Sequence, residues 1–536
     1  MADSNPSPAA DWHPRHNPWL IALAVMLAPF MEVLDTSVAN VALPHIGGNL
    51  SATPEEATWV LTSYLVSNAI ILPMTGWLGN YFGRRRLFLL CVMLFTFASV
   101  LCGMATSLGW LIVARIVQGL GGGAMVPIAQ AILLESFPAA KRGAAMAAFS
   151  MGIIVAPILG PTLGGWITDN YSWRWIFYIN LPVGILAFLL GEDLIEDPPY
   201  IRRDRQATVD FAGFALLAIW LGTLQIVLDK GQEEDWFGSD WICWLTAISA
   251  VAMIAFLLWE FRAAHPVVDL RVLGNRNFST GLLLITMVGV VLYGTTAAIP
   301  IYLQTLMGYT ALGSGLALSP RGLAAFVTTI FMGRLVGRVP NRYLLVIGFT
   351  LVAVSSFMLG NINLSVDMAH VIWPSVVNGI GISFIFVPLT TSTVAYLRQD
   401  QMGNATGLYN LMRNIGGSLG IALVTTMLAR HAQIHQAMMV AHATPYDPAF
   451  LRQLAATQAA LAAHSDPVAA AMQARHLLYG KVLQQASLWA FVDNFRLFGL
   501  FCLACIPLVF RFKTCGGRNS WRLPRTAPAA APRYGQ

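Results

Sequence analysis

Apolar residues arrive along this chain in blocks of about 20, separated by short polar segments, and about 20 apolar residues as helix span a bilayer core. The blocks fall near 18–42, 57–79, 87–107, 109–134, 144–168, 175–191, 208–229, 241–260, 279–303, 313–337, 343–361, 370–396, 405–429 and 488–511. They predict about fourteen membrane-spanning helices and an all-α integral membrane protein. A β-barrel needs short alternating strands instead of long unbroken runs. Composition agrees: 56% of residues are hydrophobic and 11% charged, too few charges to solvate a soluble surface of this size. The polar, Pro-rich segment 1–17 has no cleavable-signal pattern and reads as a tail.

An even number of spans puts both termini on one side, and basic loops name that side. Alternate loops hold Arg84, Arg85 and Arg86; Lys141 and Arg142; Arg202, Arg203 and Arg205; Arg262, Arg271 and Arg276; Arg338 and Arg342; and the tail from Arg511 to Arg533. The opposite loops are poor in Lys and Arg, and Asp229 to Asp240 is acidic. Both termini are therefore expected in the cytoplasm. The formal charge of +6 reflects these loops and calls for no nucleic-acid partner. Two segments break the spacing. Glu192 to Thr208 is polar and suited to join two halves, whereas 430–487 is a long extracytoplasmic loop. In the latter, Leu451, Leu454, Leu461, Met472, Leu478 and Val482 recur at loosely helical spacing, predicting one or two amphipathic helices that lie on the membrane or dock a partner.

Charges inside spans cost roughly 2.5–3.5 kcal/mol each on insertion scales, so each is a functional candidate. Glu32 and Asp35, at i and i+3, share one face of the first helix and suit proton or cation handling. Arg115 in the fourth span keeps its proton and needs carboxylates or carbonyls as partners. Arg413 in the thirteenth span and Arg321 in the tenth, after Pro320, are further charges within spans and less distinctive, and Asp493 with Arg496 has the spacing of a local ion pair. Gly152, Pro157 and Gly160-Pro161-Thr162-Leu163-Gly164-Gly165 mark a helix able to bend and pack closely, as do Gly416, Gly417 and Gly420. His431 and His435 stand four apart, but no third ligand cluster accompanies them in sequence, so no metal site is expected. The six cysteines, Cys91, Cys102, Cys243, Cys502, Cys505 and Cys515, read as packing residues. No Walker motif or catalytic constellation appears, which disfavours ATP-driven transport and a membrane enzyme and implies no cofactor beyond a proton gradient.

Several motifs in order then become recognisable. Leu34-Asp35-Thr36-Ser37-Val38-Ala39-Asn40-Val41-Ala42-Leu43-Pro44, Gly76-Trp77-Leu78-Gly79-Asn80-Tyr81-Phe82-Gly83-Arg84-Arg85-Arg86, and Arg115 with Gln118 and Gly119 are three of them. Gly160-Pro161 with Gly164-Gly165, and Ser172-Trp173-Arg174-Trp175-Ile176-Phe177-Tyr178-Ile179-Asn180-Leu181-Pro182, complete the set. Over nearly its full length the chain resembles the fourteen-helix drug:proton antiporters of the major facilitator superfamily, of the EmrB/QacA type. The resemblance implies two six-helix bundles, 18–191 and 279–511, joined by a linker 192–278 with two extra helices that bear Asp210 and Asp229 near their ends. It also implies a substrate cavity between the bundles, and Tyr64, Gln118, Tyr293, Tyr409 and Arg413 are candidates to line it. Asp35, Glu32 and Arg115 are the candidates for proton coupling. Gly76, Asn80, Gly83, Arg84, Gly160, Pro161, Gly164 and Gly165 are the candidates for conformational motifs. Asn80 departs from the family's usual aspartate and has no charge for an ion pair. The implied function is proton-coupled efflux of lipophilic drugs or toxic compounds across the inner membrane. The long loop resembles that of exporters working with a periplasmic adaptor and an outer-membrane channel. Export of a specific metabolite or siderophore, and ligand sensing without transport, are the alternatives.

Overall fold

A computed structural model describes residues 14–138, 141–197, 210–263, 266–398, 401–464 and 466–512. Among them no strand forms beyond an isolated bridge between Val336 and Val339. Among the described residues, fourteen helical stretches are long and apolar enough to cross a membrane. Arg202, Arg203, Arg205, Cys515 and the tail beyond Phe512 lie outside the described residues.

The first nine helices make one half. They are α1 (Pro18–Leu50), α2 (Pro54–Ile71), α3 (Thr75–Phe82), α4 (Arg84–Gly103), α5 (Leu108–Gly122), α6 (Met125–Ser136), α7 (Arg142–Asn170), α8 (Trp175–Tyr178) and α9 (Asn180–Leu194). Local chemistry sets their ends. Asn17 caps α1, Thr53 and Glu56 form a reciprocal capping box on α2, and Ser107 caps α5. Pro73, which has no N–H to donate, sits in the 3-10 turn Leu72–Met74 between α2 and α3. A glycine run breaks the fourth span between α5 and α6. The first helix outruns its expected end at 42 by eight residues: Pro44 is accommodated within it, and the turn comes at Ser51, which adopts a left-handed conformation.

Two helices, α10 (Phe211–Lys230) and α11 (Asp240–Glu260), pack on each other at the side, with α10 touching α2 and the later α16. Asp210 caps α10 and accepts a hydrogen bond from Trp259 Nε1 at 2.8 Å; Asp229 accepts one from Thr62. The two acids at the ends of α10 thus tie it to α11 and α2. The second half follows: α12 (Arg276–Ile301), α13 (Ala311–Leu335), α14 (Asn341–Leu359), α15 (Ala369–Thr393), α16 (Met402–Val440), α17 (Pro448–Ala462) and α18 (Pro467–Val509). The expected loop 430–487 is largely helix. Spans α16 and α18 continue past their predicted limits as one projecting hairpin, with α17 packed on α18. Alanine and glutamine keep helical propensity high there, while low hydropathy hid the continuity.

Two apolar cores centre on the two halves and meet across their boundary, the first reaching Met332 and Val387 and the second Leu72 and Met74. Met31, Tyr64, Phe88, Phe95 and Phe149 anchor the first, and Phe278, Phe349, Tyr302, Phe495 and Phe498 the second. Outward-facing Phe97, Val113, Leu189, Trp244, Val251, Leu323 and Phe331 are exposed, as a lipid-facing surface requires. Gly416 and Gly420 lie where a Cβ would come within 2.2 Å of the Thr286 and Val290 carbonyls. That glycine set is a packing device that draws α16 onto α12.

Candidate functional site: a buried charge cluster and a closed end

Halfway along α1, Asp35 is 2% exposed and Glu32, one turn earlier, 8%. Asp35 Oδ2 accepts from Arg115 Nη1 of α5 at 2.5 Å. Its Oδ1 accepts from Gln118 Nε2 at 3.0 Å and from Asn180 Nδ2 of α9 at 2.6 Å. Arg115 has no exposed surface. Its Nε donates to the Val60 carbonyl at 3.0 Å, its Nη1 reaches Gln118 Oε1 at 2.7 Å, and its guanidinium lies 4.3 Å over the Tyr64 ring. A charge so deep is tolerable only when paired and hydrogen-bonded, and removing one partner of such a pair typically costs 3–5 kcal/mol. Three helices, α1, α5 and α9, therefore converge on one carboxylate.

Glu32 is held differently. Its Oε1 accepts from Asn68 Nδ2 at 2.8 Å, Asn68 also reaches the Tyr64 hydroxyl at 3.4 Å, and Glu32 Oε2 has no partner among the described residues. Arg413 is buried, faces the Phe386 ring at 5.9 Å, and leaves its Nε unbonded. Glu32 of the first half and Arg413 of the second thus each bury a polar atom with no partner among the described residues.

The loops carrying Arg84, Arg142, Arg276 and Arg342 meet at one end of the bundle, where the halves close on each other. Gly76 of α3 sits against the backbone of Asn404 at the start of α16; a Cβ there would be 2.6 Å from Asn404 N and Cα. Gly407 rests on the Leu72 carbonyl, and Asn410 Nδ2 donates to Gln130 Oε1 of α6 at 2.8 Å. Gly143 meets Val336 and Gly333 meets Ala144 and Ala147, joining α7 to α13. Arg84, 1% exposed, pairs with Glu135 at 2.9 Å and wedges its Nη1 between Gly79 and Gly403. Gly83, at φ +88°, lies against Asp197, which also accepts from the Arg85 amide at 2.8 Å. Asn80 is exposed, and its side chain makes no hydrogen bond among the described residues. The Arg84–Glu135 pair and the Gly76–Asn404 contact hold this end.

Gly160 and Gly164 pack α7 onto Ser37 and Val38 of α1, just past Asp35, while Gly165 meets nothing within 4 Å; Pro161 lies within α7. Gln118 and Tyr64, expected on a cavity wall, are instead fully packed around Arg115. Tyr409 is also buried, with its hydroxyl 3.0 Å from Thr390 Oγ1, and Tyr293 packs on Gly417. Asp493 and Arg496 do not form the expected local pair. Arg496 Nε turns to the Gly360 carbonyl at 3.1 Å, and Asp493 faces His431 and His435. Tertiary partners outcompete the i,i+3 neighbour because both side chains reach across to other helices. Asn68, Gln130, Glu135, Asn180 and Asn410 were not singled out from sequence. Asn180 stands inside a quoted motif, and Glu135 lies just past the expected end of its span, which exempted it from the charge argument.

The profile described as Major Facilitator Superfamily matches residues 25–421. The chain belongs to that superfamily. This facilitator is 40% identical over 432 residues to the multidrug export protein EmrB of Haemophilus influenzae, covering 80% of this chain and 84% of the relative. It is 38% identical over 430 residues, with the same coverage, to the fatty acid resistance protein FarB of Neisseria gonorrhoeae. Among solved structures, the human organic anion transporter MFSD10 superposes with a TM-score of 0.60 at 12% identity, over 92% of this chain and all of that one, a likeness of fold. Membership in the EmrB-like branch makes the chain a multi-pass inner-membrane transporter rather than an enzyme.

Proposed function

We propose that this facilitator expels lipophilic drugs or toxic small molecules from the cytoplasm in exchange for protons, with Asp35 as the principal coupling carboxylate and Glu32 as its companion. The observation that carries the reading is the buried Asp35–Arg115 pair, completed by Gln118 and Asn180. An ionised Asp35 clamps α1, α5 and α9 together. A proton on Asp35 discharges the pair, and the guanidinium of Arg115 then lacks its counter-charge. That change favours rearrangement of the helices it joins, including the α1–α7 contact made by Gly160 and Gly164. Glu32, with one oxygen open, offers a second place for a proton or for a cationic substrate. The open space of the opposite conformation between the halves supplies the substrate site, with Glu32 on one wall and Arg413 on the other.

With the positive-inside rule, the basic end is cytoplasmic, both termini lie there, and the conformation described has its cytoplasmic end closed. The driving force is adequate: about 1.4 kcal/mol per pH unit and about 2.3 kcal/mol per 100 mV sustain a several-hundred-fold gradient per proton. By analogy with exporters of this type, the projecting α16–α18 hairpin is the place for a periplasmic adaptor that leads to an outer-membrane channel.

A second reading, export of lipophilic carboxylic acids, is favoured by two buried arginines of the second half. Arg321 bonds only weakly to Thr296 and Thr295, at 3.3 and 3.5 Å, and neither it nor Arg413 has a carboxylate within ion-pair distance among the described residues. The FarB relative's name agrees with it. In proteoliposomes with an imposed pH gradient, a fluorescent lipophilic cation and a fluorescent fatty acid are offered separately. Uphill movement of the cation supports drug efflux, movement of the acid alone supports the second reading, and movement of neither removes both.

A further inference from the structure

At the end of the bundle opposite the basic loops, α16 and α18 leave the spanning region and become the two arms of the hairpin. Three side chains meet there. His431 Nδ1 and His435 Nε2, one turn apart on α16, each lie 2.8 Å from the same oxygen, Oδ2 of Asp493 on α18. The ligand-capable atoms all fall within 4.8 Å of one another. The three side chains are about a quarter to a third exposed, so an ion can enter without opening the fold.

We propose that His431, His435 and Asp493 form a binding site for a divalent transition-metal ion of the zinc class. Two imidazoles and a carboxylate are a donor set that such ions select over magnesium or calcium, which prefer oxygen alone. The i,i+4 spacing fixes two imidazoles on one helix face, the device used wherever two histidines of a helix hold zinc. Around a tetrahedral ion with bonds of about 2.1 Å, ligand atoms stand about 3.4 Å apart. The observed 2.8 Å separations therefore need to widen by only about 0.6 Å, within side-chain freedom. Without metal, one carboxylate oxygen accepts from both imidazoles; with metal, each neutral ring carries its proton on the outer nitrogen and turns the lone pair of the inner one to the ion, so a proton that makes either ring an imidazolium competes with the ion and uptake falls as pH drops.

The surroundings suit a cation. Arg496, the nearest cation on α18, is turned away to the Gly360 carbonyl and stacks 5.7 Å from the Trp489 ring, whose other neighbour is His435 at 6.2 Å. Arg430, beside His431 in sequence, is exposed. A fourth coordination position is left for water. The site would fasten α16 to α18 at the root of the hairpin and so set the pose of α17, independently of the charge cluster around Asp35.

The test uses the full chain in lipid nanodiscs and zinc chloride alone, titrated calorimetrically near pH 7.4. Wild type is compared with His431→Gln, His435→Gln and Asp493→Asn, and with His442→Gln as a control, because His442 is exposed and bonds only the Met438 carbonyl. The expected result is one zinc per wild-type chain, weakened by about tenfold or more in each of the three variants and unchanged in His442→Gln. Zinc should also raise the melting temperature of wild type but not of Asp493→Asn, with all metal-free proteins melting cooperatively. The proposal is overturned if wild type binds no zinc in the micromolar range, or if His431→Gln and Asp493→Asn bind as wild type does. Equal loss in His442→Gln would also overturn it.

Discussion

Replacing Gly76 by alanine should open the basic end of the bundle. The added Cβ would sit 2.6 Å from Asn404 N and Cα and 2.9 Å from its Cβ. Carbon atoms rest at about 3.5–4.0 Å, so the start of α16 must retreat by roughly 1 Å. The obstacle is backbone, which has no rotamer to change. Overpacking of this kind costs about 1–3 kcal/mol, and the cost falls only on the conformation in which α3 and α16 touch. A penalty of 1–3 kcal/mol on one of two states shifts their ratio about 5- to 150-fold. Spin labels on Asn80→Cys and Arg398→Cys, both exposed, report the distance across this end by pulsed electron resonance in a background with Cys243→Ser and Cys515→Ser, the other four cysteines being buried. The Gly76→Ala protein should gain a longer-distance population and lose transport turnover, since a transporter held open at one end cannot cycle. An unchanged distance distribution with normal turnover would refute the reasoning.

Three further outcomes follow from the buried cluster. Asp35→Asn leaves Arg115 unpaired and should lower stability by about 3–5 kcal/mol; adding Arg115→Gln should recover much of that in a melting assay while proton coupling stays absent. Glu32→Gln keeps an acceptor for Asn68 and should fold normally, yet the pH profile of transport should flatten, because no ionisable group remains one turn from Asp35. Gly160→Val would drive its side chain into Ser37, 2.2 Å from the ideal Cβ position, separating α7 from α1 and slowing turnover measured by substrate efflux, with substrate binding less affected.

Spans, basic loops and the acids of the first helix were legible because hydrocarbon excludes charge and punishes short apolar runs. Asp35 and Arg115 each stood out alone, and the structure supplies their contact across 80 residues. Asn180 and Asn68 stayed hidden because neutral amides carry a small insertion penalty and no spacing rule links them to α1. The closed end was half legible: Gly76 and Arg84 were marked by their motif, while Asn404, Gln130 and Asn410 come from the other side of an interface that only the fold creates. Asp493 misled, since a neighbour at i+3 satisfied the local rule while two histidines some 60 residues away took the contact. The α16–α18 hairpin was obscured by alanine and glutamine, which favour helix without the hydropathy that marks a span.

The most direct test of proton coupling runs the exchange backwards. Proteoliposomes loaded with a lipophilic drug substrate and diluted into drug-free buffer, with no pH gradient imposed, carry a pH dye inside. As drug leaves through the wild-type protein, protons should enter and acidify the lumen, and Asp35→Asn should release drug without that acidification or not at all. Drug leaving wild type with no proton movement, or Asp35→Asn acidifying the lumen as wild type does, would contradict proton exchange through Asp35.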